Sequence, residues 1–157
     1  MSKTRILIHI VFCTKYRHPV IPFEHRRRLY AYIHGIIGNF RCQTLRINGT
    51  DNHIHILINL HPTVALAALV KELKRSSTIW MKDNPDFAKF TAWNSGYYAA
   101  SIGSKEEIAC IEYIKNQETH HRGHDLLNEM KVLAMEYRLD WDDRDWSSTP
   151  SGVDADD

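Results

Sequence analysis

The sequence predicts an α+β fold in which helices cover one antiparallel sheet, and three observations support this prediction. Apolar runs at 5–13 and 53–60 have the length and β-branched content of strands. Stretches at 24–39 and 63–83 instead repeat apolar residues at helical spacing. Between them, Asn48-Gly49 is a strong hairpin signal, because both residues tolerate the positive φ of a type I′ turn.

The first half of the chain is predicted element by element. Residues 5–13 are apolar on both faces, which is typical of a central strand. His9 lies on one of these faces and fits either a place near a metal or an ordinary hydrogen-bonded histidine. After the helix at 24–39, residues 41–47 alternate and predict a second strand that leads into the Asn48-Gly49 turn. The alternation gives one common face to Gln43, Leu45 and Ile47.

The second half predicts a helix, a strand and two further helices. The helix at 63–83 is followed at 89–102 by a stretch with the aromatic content of a strand. Ser104 and Glu107 form a capping box that starts the next helix, and a last helix is expected at 125–138. The order β-α-β-β-α-β, with helices added at the C-terminus, is the ferredoxin-like (RRM-like) pattern, in which strands one and three are central.

Charge is divided unevenly along the chain. Its 157 residues have a net charge of +1, but residues 140–157 contain seven Asp and one Arg. Residues 1–139 therefore contain 19 basic and 12 acidic residues, a net charge of +7. We predict one domain at 1–139 and an acidic, partly disordered tail at 140–157. A basic domain suits a polyanionic partner, although an ordinary solvated surface has the same character.

Composition argues against a membrane or secreted protein. The sequence has no run of about 18 apolar residues that would span a bilayer. It also lacks the cleavage pattern of a signal peptide. Its three cysteines are an odd number at no spacing typical of metal sites. We therefore expect a reduced, cytoplasmic protein without membrane contact.

The motif His53-Ile54-His55 lies in the predicted third strand. Alternate side chains of a strand emerge on the same face, so the two imidazoles should lie side by side. Such a pair forms half of a metal site, and it also occurs on many surfaces without a metal. A third ligand and a reactive group are needed to separate these interpretations.

Gln117 is a candidate for the third ligand, and Tyr113 is a candidate for the reactive group. They lie one turn apart on one face of a predicted helix. The histidine pair and the Gln117 oxygen would hold a divalent cation, and Tyr113 would attack a phosphorus atom. A phenol with a pKa of about 10 is a poor nucleophile unaided, and a metal would stabilise the charge that develops. Exchange of one phosphoester for another needs no nucleotide cofactor and is reversible.

Two basic segments are candidates for contact with DNA. A solvated surface explains the first equally well, and it explains most clusters of the second kind. The first is a loop that ends at a proline, with cations for phosphates and a ring on which a base would stack. It comprises Lys15, Tyr16 and Arg17. The second lies in the helix at 63–83 and comprises Lys71, Lys74 and Arg75.

The His53-Ile54-His55 motif together with the motif from Tyr113 to Gln117 resembles the single-tyrosine HUH transposases of the insertion-sequence 200/605 type. The resemblance covers about residues 5–125. It implies that Tyr113 is the nucleophile and that His53, His55 and Gln117 bind magnesium or manganese. It also implies binding of single-stranded DNA hairpins at element ends, cleavage through a 5′-phosphotyrosine, and rejoining by the freed 3′-hydroxyl.

The family further implies a homodimer, in which the tyrosine helix often serves the histidine pair of the partner. Several alternatives stay open at this point. The tyrosine would serve the histidine pair of its own subunit (in cis) or of the partner (in trans). The protein would be either a mobile-element enzyme or a domesticated relative that acts on chromosomal repeats. Two other functions fit the same fold. One is a non-catalytic module that binds single-stranded nucleic acid, and the other is a metallophosphoesterase that uses water.

Overall fold

The structure, a computed structural model, describes residues 1–120 and 126–142 of the chain. The strands within these ranges are β1 (Leu7–Cys13), β2 (Gln43–Gly49), β3 (His53–Asn59) and β4 (Tyr98–Ile102). The helices are α1 (Arg26–Asn39), α2 (Leu66–Lys82), α3 (Glu107–Lys115), α4 (Gln117–His120) and α5 (Leu126–Glu136). None of these helices combines the length and apolar character needed to cross a bilayer.

The four strands form one antiparallel sheet in the order β2-β3-β1-β4. The predicted α+β, ferredoxin-like fold is therefore confirmed, with β1 and β3 in the centre. Their pairing brings Cys13 opposite His53 and Val11 opposite His55. The histidine motif thus lies on the most constrained strands of the sheet, with a paired neighbour on each side.

The two faces of the sheet pack against different helices. On one face, Ile10, Phe12, Ile54 and Ile56 are fully buried against α1 and α2. Burial of each such side chain stabilises the fold by about 1.5–3 kcal/mol relative to exposure. The opposite face carries the histidines and is covered by α3 and α5. Apolar packing on the first face therefore holds the strands that present polar groups on the second.

The predicted turn at Asn48-Gly49 is wrong in position. Both residues belong to β2, where Asn48 pairs with His55, and the chain turns after them at 50–52. Gly49 is needed for space and not for a positive φ. A Cβ atom there would lie 2.2 Å from the backbone oxygen of His53. The glycine therefore does mark a hairpin between β2 and β3, but it is required by a close backbone contact and not by the conformation of a type I′ turn.

The predicted common face of Gln43, Leu45 and Ile47 is also wrong. An irregularity between Thr44 and Arg46 shifts the register of β2 against β3. Because a shift of one residue changes the face, Leu45 packs on the α3 side and Ile47 on the α1 side.

The fourth strand is shorter than the predicted stretch at 89–102. Phe90 and Trp93 precede β4 and belong to the core under α1 and α2. Trp93 donates its Nε1–H to Ser77 Oγ at 2.9 Å. The aromatic residues that predicted a strand before residue 98 therefore reflect core packing. Tyr97, which immediately precedes β4, is partly exposed.

The helix predicted to begin with a capping box differs at both ends. Residues Ser104–Glu106 form a 3-10 turn, and α3 starts after it without a side-chain cap. The helix is interrupted at Asn116, between α3 and α4. Of the predicted tail at 140–157, only 140–142 are described, and Trp141 packs against the cluster formed by α5.

Candidate active site

The two histidines of β3 are fully buried beneath the C-terminal helices. His53 and His55 each have 0% exposed surface, and their ring centroids are 5.1 Å apart. They lie on one face of the sheet, as the alternation of a strand predicts. Their burial shows that they are not surface histidines, which was one of the two interpretations of the motif.

His53 is oriented by the turn that precedes it. Its Nδ1 lies 2.8 Å from Asn52 Oδ1 and 2.9 Å from Thr50 Oγ1. The Asn52 amide is itself oriented, because its Nδ2 donates to the backbone oxygen of Arg17 at 3.3 Å. Since Oδ1 only accepts, the proton of a neutral His53 belongs on Nδ1. The lone pair of Nε2 then points into the site.

Tyr113 and Gln117 come to this histidine pair within the same chain. The Tyr113 ring centroid is 5.5 Å from that of His55, and Gln117 Oε1 is 3.2 Å from His53 Nε2. Gln117 is fully buried. All four residues expected to form the site are therefore adjacent in one protomer.

Asn48 fixes the end of α3, the helix that carries Tyr113, just before Gln117 begins α4. Its Nδ2 donates to the backbone oxygens of Ile114 at 3.0 Å and Lys115 at 2.9 Å. These carbonyls lie at the end of α3, where the last carbonyls of a helix lack the regular intrahelical hydrogen bond. Because Asn48 pairs with His55 in the sheet, one side chain joins the histidine strands to the end of the tyrosine helix.

The arrangement of Gln117 suits a cation. Its Nε2 donates to Tyr113 O at 3.3 Å and to Glu129 Oε1 at 3.4 Å, so its Oε1 faces His53. Two electron-pair donors, this oxygen and the Nε2 of a neutral His53, then face each other at 3.2 Å. A proton on Nε2 or a cation between the two atoms relieves this contact. The donor set of the site thus fits a divalent metal.

Glu129 is a site residue that the sequence analysis missed. Its carboxylate oxygens lie 3.5 Å from His55 Nε2 and 4.0 Å from His53 Nε2, and one of them accepts a hydrogen bond from the Tyr113 hydroxyl. Ligand atoms of His53, His55 and Glu129 all lie within 4.8 Å of one another, a spacing compatible with one metal ion.

Burial raises the pKa of Glu129 to about 8, because the carboxylate loses its hydration. A signal for this residue was present in the sequence. Glu129 falls on the apolar stripe of α5, among the buried residues Leu126, Met130 and Leu133. A carboxylate at a core position of an amphipathic helix is uncommon and indicates a partner.

His9 also belongs to this site. It is fully buried in β1, with its Nε2 2.8 Å from Nδ1 of His55 and the two rings stacked. Desolvation, and then the nearby His55, hold the pKa of His9 well below its usual range. The interpretations of His9 as a hydrogen-bonded histidine and as a neighbour of the metal residues are thus compatible.

The basic loop lies at the end of β1, next to the turn that orients His53. Tyr16 and Arg17 both have positive φ values, 57° and 58°, a conformation that costs about 1–2 kcal/mol per non-glycine residue. The loop is held by Thr14 Oγ1, which donates to His18 O at 2.7 Å. Lys15 Nζ lies 5.4 Å from the Tyr16 ring centroid.

The basic residues of α2 lie elsewhere. This helix packs on the face of the sheet opposite the histidines, and Lys71 and Arg75 are exposed on it. Arg75 pairs with Glu72. Lys74 Nζ donates to the backbone oxygens of Asn94 and Gly96, so it holds the segment before β4. Lys74 thus reaches toward the basic loop, since the charges of Lys74 and Arg17 both act on the Cys13 thiol at the end of β1. Lys71 and Arg75 instead project from the helix on the other face of the sheet.

Comparison with known proteins identifies relatives along most of the chain. The family model described as "Transposase IS200 like" matches residues 2–117. The transposase for insertion sequence element IS200 of Salmonella typhimurium is 27% identical over 114 residues, which span 69% of this chain and 74% of that protein. The ISDra2 transposase TnpA of Deinococcus radiodurans is 25% identical over 114 residues, 69% of this chain and 81% of that protein.

Solved structures share the fold. A crystal structure from Deinococcus radiodurans assigned to the transposases matches with a TM-score of 0.58 and 22% identity, covering 74% of this chain and 93% of that one. A REP-associated tyrosine transposase bound to a REP hairpin matches with a TM-score of 0.60 and 14% identity, covering 90% and 92%. The family match spans both histidines, Tyr113 and Gln117. The chain belongs to the IS200-like transposase family.

Proposed function

We propose that this transposase cleaves and rejoins single-stranded DNA through a 5′-phosphotyrosine formed on Tyr113. The observation that carries the proposal is the convergence of a phenol, two imidazoles, an amide oxygen and a carboxylate on one buried point. These residue types are common on protein surfaces, so their presence in the sequence alone does not indicate an active site. Their common location supports a site for phosphoryl transfer.

His53, His55, Gln117 and Glu129 would hold a divalent metal, which we propose to be magnesium or manganese. Oxygen and imidazole ligands with one negative charge suit either ion. When bound, such an ion polarises the phosphate and stabilises the charge that develops at its oxygens. The amide and the neutral imidazoles would supply lone pairs to such an ion, and an ionised Glu129 would balance part of its charge.

In the proposed step, Tyr113 Oη attacks the phosphorus atom. The Oη–P bond forms and the P–O3′ bond breaks, so the DNA 5′ end stays on the protein and the 3′ end leaves. The Tyr113 hydroxyl donates to Glu129. Because burial raises the pKa of this carboxyl to about 8, Glu129 would accept the phenol proton only in its ionised form, which a bound cation would favour. The departing 3′ oxygen takes a proton from water. Attack by a 3′-hydroxyl reverses the step, and no nucleotide cofactor is required.

We propose a single-stranded DNA hairpin as the substrate. The hairpin bound by the REP-associated relative supports this substrate class. The Lys15–Arg17 loop supports it as well, because its cations and aromatic ring adjoin the turn that orients His53. A homodimer stays a prediction, and light scattering of the purified chain tests it. Since one protomer supplies every member of the site, we propose cleavage in cis.

The covalent adduct is the decisive test. The full-length protein is incubated with a 5′-labelled or 3′-labelled hairpin and manganese, and denaturing gels are read for label attached to protein. We expect label on the protein only when it lies 3′ of the cleaved bond. Tyr113→Phe should abolish the adduct and keep hairpin binding, whereas Tyr97→Phe, on a partly exposed ring, should retain both.

The same experiment separates the alternatives. Cleavage without an adduct would identify a metallophosphoesterase that uses water. Hairpin binding that is indifferent to a chelator, with no cleavage, would identify a non-catalytic binding module. Parallel assays with element-end hairpins and chromosomal repeat hairpins would show whether the chain acts as a mobile-element enzyme or as a domesticated relative.

A further inference from the structure

The contact between His9 and His55 joins two buried imidazoles through a hydrogen bond. His9 Nε2 and His55 Nδ1 are 2.8 Å apart, and both side chains have 0% exposed surface. The rings stack with centroids 5.1 Å apart and an interplanar angle of 28°. In a short contact between two ring nitrogens, one nitrogen must carry the proton and the other must accept it.

The direction of this bond decides whether His55 is able to bind a metal. The Nε2 of His55 faces Glu129, so Nε2 is the atom that would ligate. A ligating Nε2 needs its lone pair, and the proton of a neutral His55 must then lie on Nδ1. That proton points at His9 Nε2, which must accept it. His9 therefore carries its own proton on Nδ1 whenever His55 ligates.

We propose that His9 is a positioning residue, which accepts a hydrogen bond from His55 Nδ1 and so fixes the tautomer and orientation in which His55 binds metal. This inference rests on the proposed function. Metal-binding histidines usually donate their second N–H to a carboxylate, a carbonyl or water. Here a neutral imidazole takes that place, and it adds no charge to the buried site.

The surroundings of His9 hold its ring in place for this role. Rings of Tyr98, Tyr113 and Tyr137 meet it edge-on, at centroid distances of 6.0, 6.2 and 6.3 Å. One of them is the proposed nucleophile, so His9 contacts both a metal residue and the reacting phenol. His53 is supported differently, through Asn52 and Thr50 of the preceding turn. The two ligands therefore depend on separate supports.

Two substitutions at position 9 test the hydrogen bond apart from the packing. His9→Gln keeps an acceptor at the position of Nε2, whereas His9→Leu fills similar space without one. Manganese binding to the full-length protein is measured by titration calorimetry and by electron paramagnetic resonance. We expect His9→Leu to weaken manganese binding about 10–100-fold, as for other residues that support metal ligands, and His9→Gln to stay within about threefold of the wild type.

Thermal unfolding in chelator serves as the structural control. A purely structural role would lower the melting temperature of His9→Leu and leave its manganese affinity unchanged, which would overturn the proposal. If His9→Leu does not fold, His9→Asn replaces it, because its shorter amide does not reach His55 Nδ1. Equal affinities of His9→Asn and His9→Gln would also overturn it. Loss of the proposed function itself would appear separately, as manganese binding that is absent in the wild type or unchanged in His55→Ala.

Discussion

Tyr113 donates a hydrogen bond from its hydroxyl to Glu129, which lies 16 residues later in the chain on a different helix. The proposed nucleophile is thus connected to a carboxylate that also approaches both histidines of the sheet. Helix α5 is therefore part of the site and not only a cover over it.

Replacement of Glu129 should weaken metal binding. Glu129→Gln removes the only negative charge among the four proposed ligands, and we expect manganese affinity to fall at least about tenfold. Glu136→Gln, an exposed change in the same helix, is the matched control and should bind as the wild type does. Calorimetric titration measures both. Equal affinity in the two variants would remove Glu129 from the ligand set.

The stability of the metal-free protein should depend on pH through Glu129. Burial raises the pKa of this carboxyl to about 8 in the folded state, against about 4.3 when unfolded. Below about pH 4 the group is protonated in both states, and the burial cost is absent. Between about pH 4 and 8 the unfolded state loses its proton first, so folding is increasingly disfavoured.

Urea unfolding in chelator measures this effect as a difference between wild type and Glu129→Gln. We expect the variant to gain on the order of 3–5 kcal/mol relative to the wild type between pH 4 and pH 8. The comparison with one variant cancels the titration of other groups. A difference that stays constant with pH would show that Glu129 is ionised or solvated in the metal-free protein.

Removal of the Asn48 side chain should loosen the tyrosine helix. Asn48→Ala deletes two hydrogen bonds to the carbonyls that end α3, which we expect to cost about 1–3 kcal/mol. Hydrogen exchange should rise in 107–117, and adduct formation should fall more than hairpin affinity does. Asn39→Ala, on the exposed end of α1, is the control. Unchanged exchange in 107–117 would contradict this role.

A methyl group at position 49 should damage both the fold and the site. The Cβ of Gly49→Ala would lie 2.2 Å from the backbone oxygen of His53, and relief of this overlap should cost about 1–3 kcal/mol. Manganese affinity should fall as well, because the displaced backbone carries a proposed ligand. Gly35→Ala is the control, since its Cβ meets nothing within 4 Å and alanine favours a helix by about 0.5–1 kcal/mol. Denaturant titrations and calorimetry give both quantities.

The two basic segments should contribute differently to DNA binding. Lys15 lies in the loop beside the turn that orients His53. Lys15→Ala should weaken hairpin binding and reduce the slope of log affinity against log salt concentration by about one phosphate contact. Lys71→Ala and Arg75→Ala lie on the opposite face of the sheet, and should change hairpin affinity by less than about twofold. Binding curves at several salt concentrations test this. A larger loss from the α2 variants would place DNA on that face.

The sequence was sufficient to predict the order of elements, and the four residues proposed for the site are close together in the structure. Strand alternation places His53 and His55 on one face, because this period is a local property of the backbone. Tyr113 and Gln117 also lie together, but they do so across the break at Asn116 between α3 and α4. The direction in which α3 docks on the sheet is not local. It depends on contacts such as that of Asn48 with the end of the helix.

Glu129 and the hairpin turn show where local patterns were insufficient. The apolar stripe of α5 predicts a helix, but only its docked position shows that Glu129 reaches the histidines and not solvent. A glycine at position 49 is explained either by a positive φ or by a close approach of another backbone segment. The pairing of β2 with β3 shows that the close approach is the cause.

The complete burial of His53, His55 and Gln117 has a consequence for substrate entry. In the proposed reaction a phosphodiester would need direct access to these groups, and the helical layer over the sheet would have to part to admit it. The apparent affinity for DNA is then the intrinsic affinity multiplied by the fraction of molecules in the open form. Each 1.4 kcal/mol that the closed form gains over the open form lowers that affinity about tenfold.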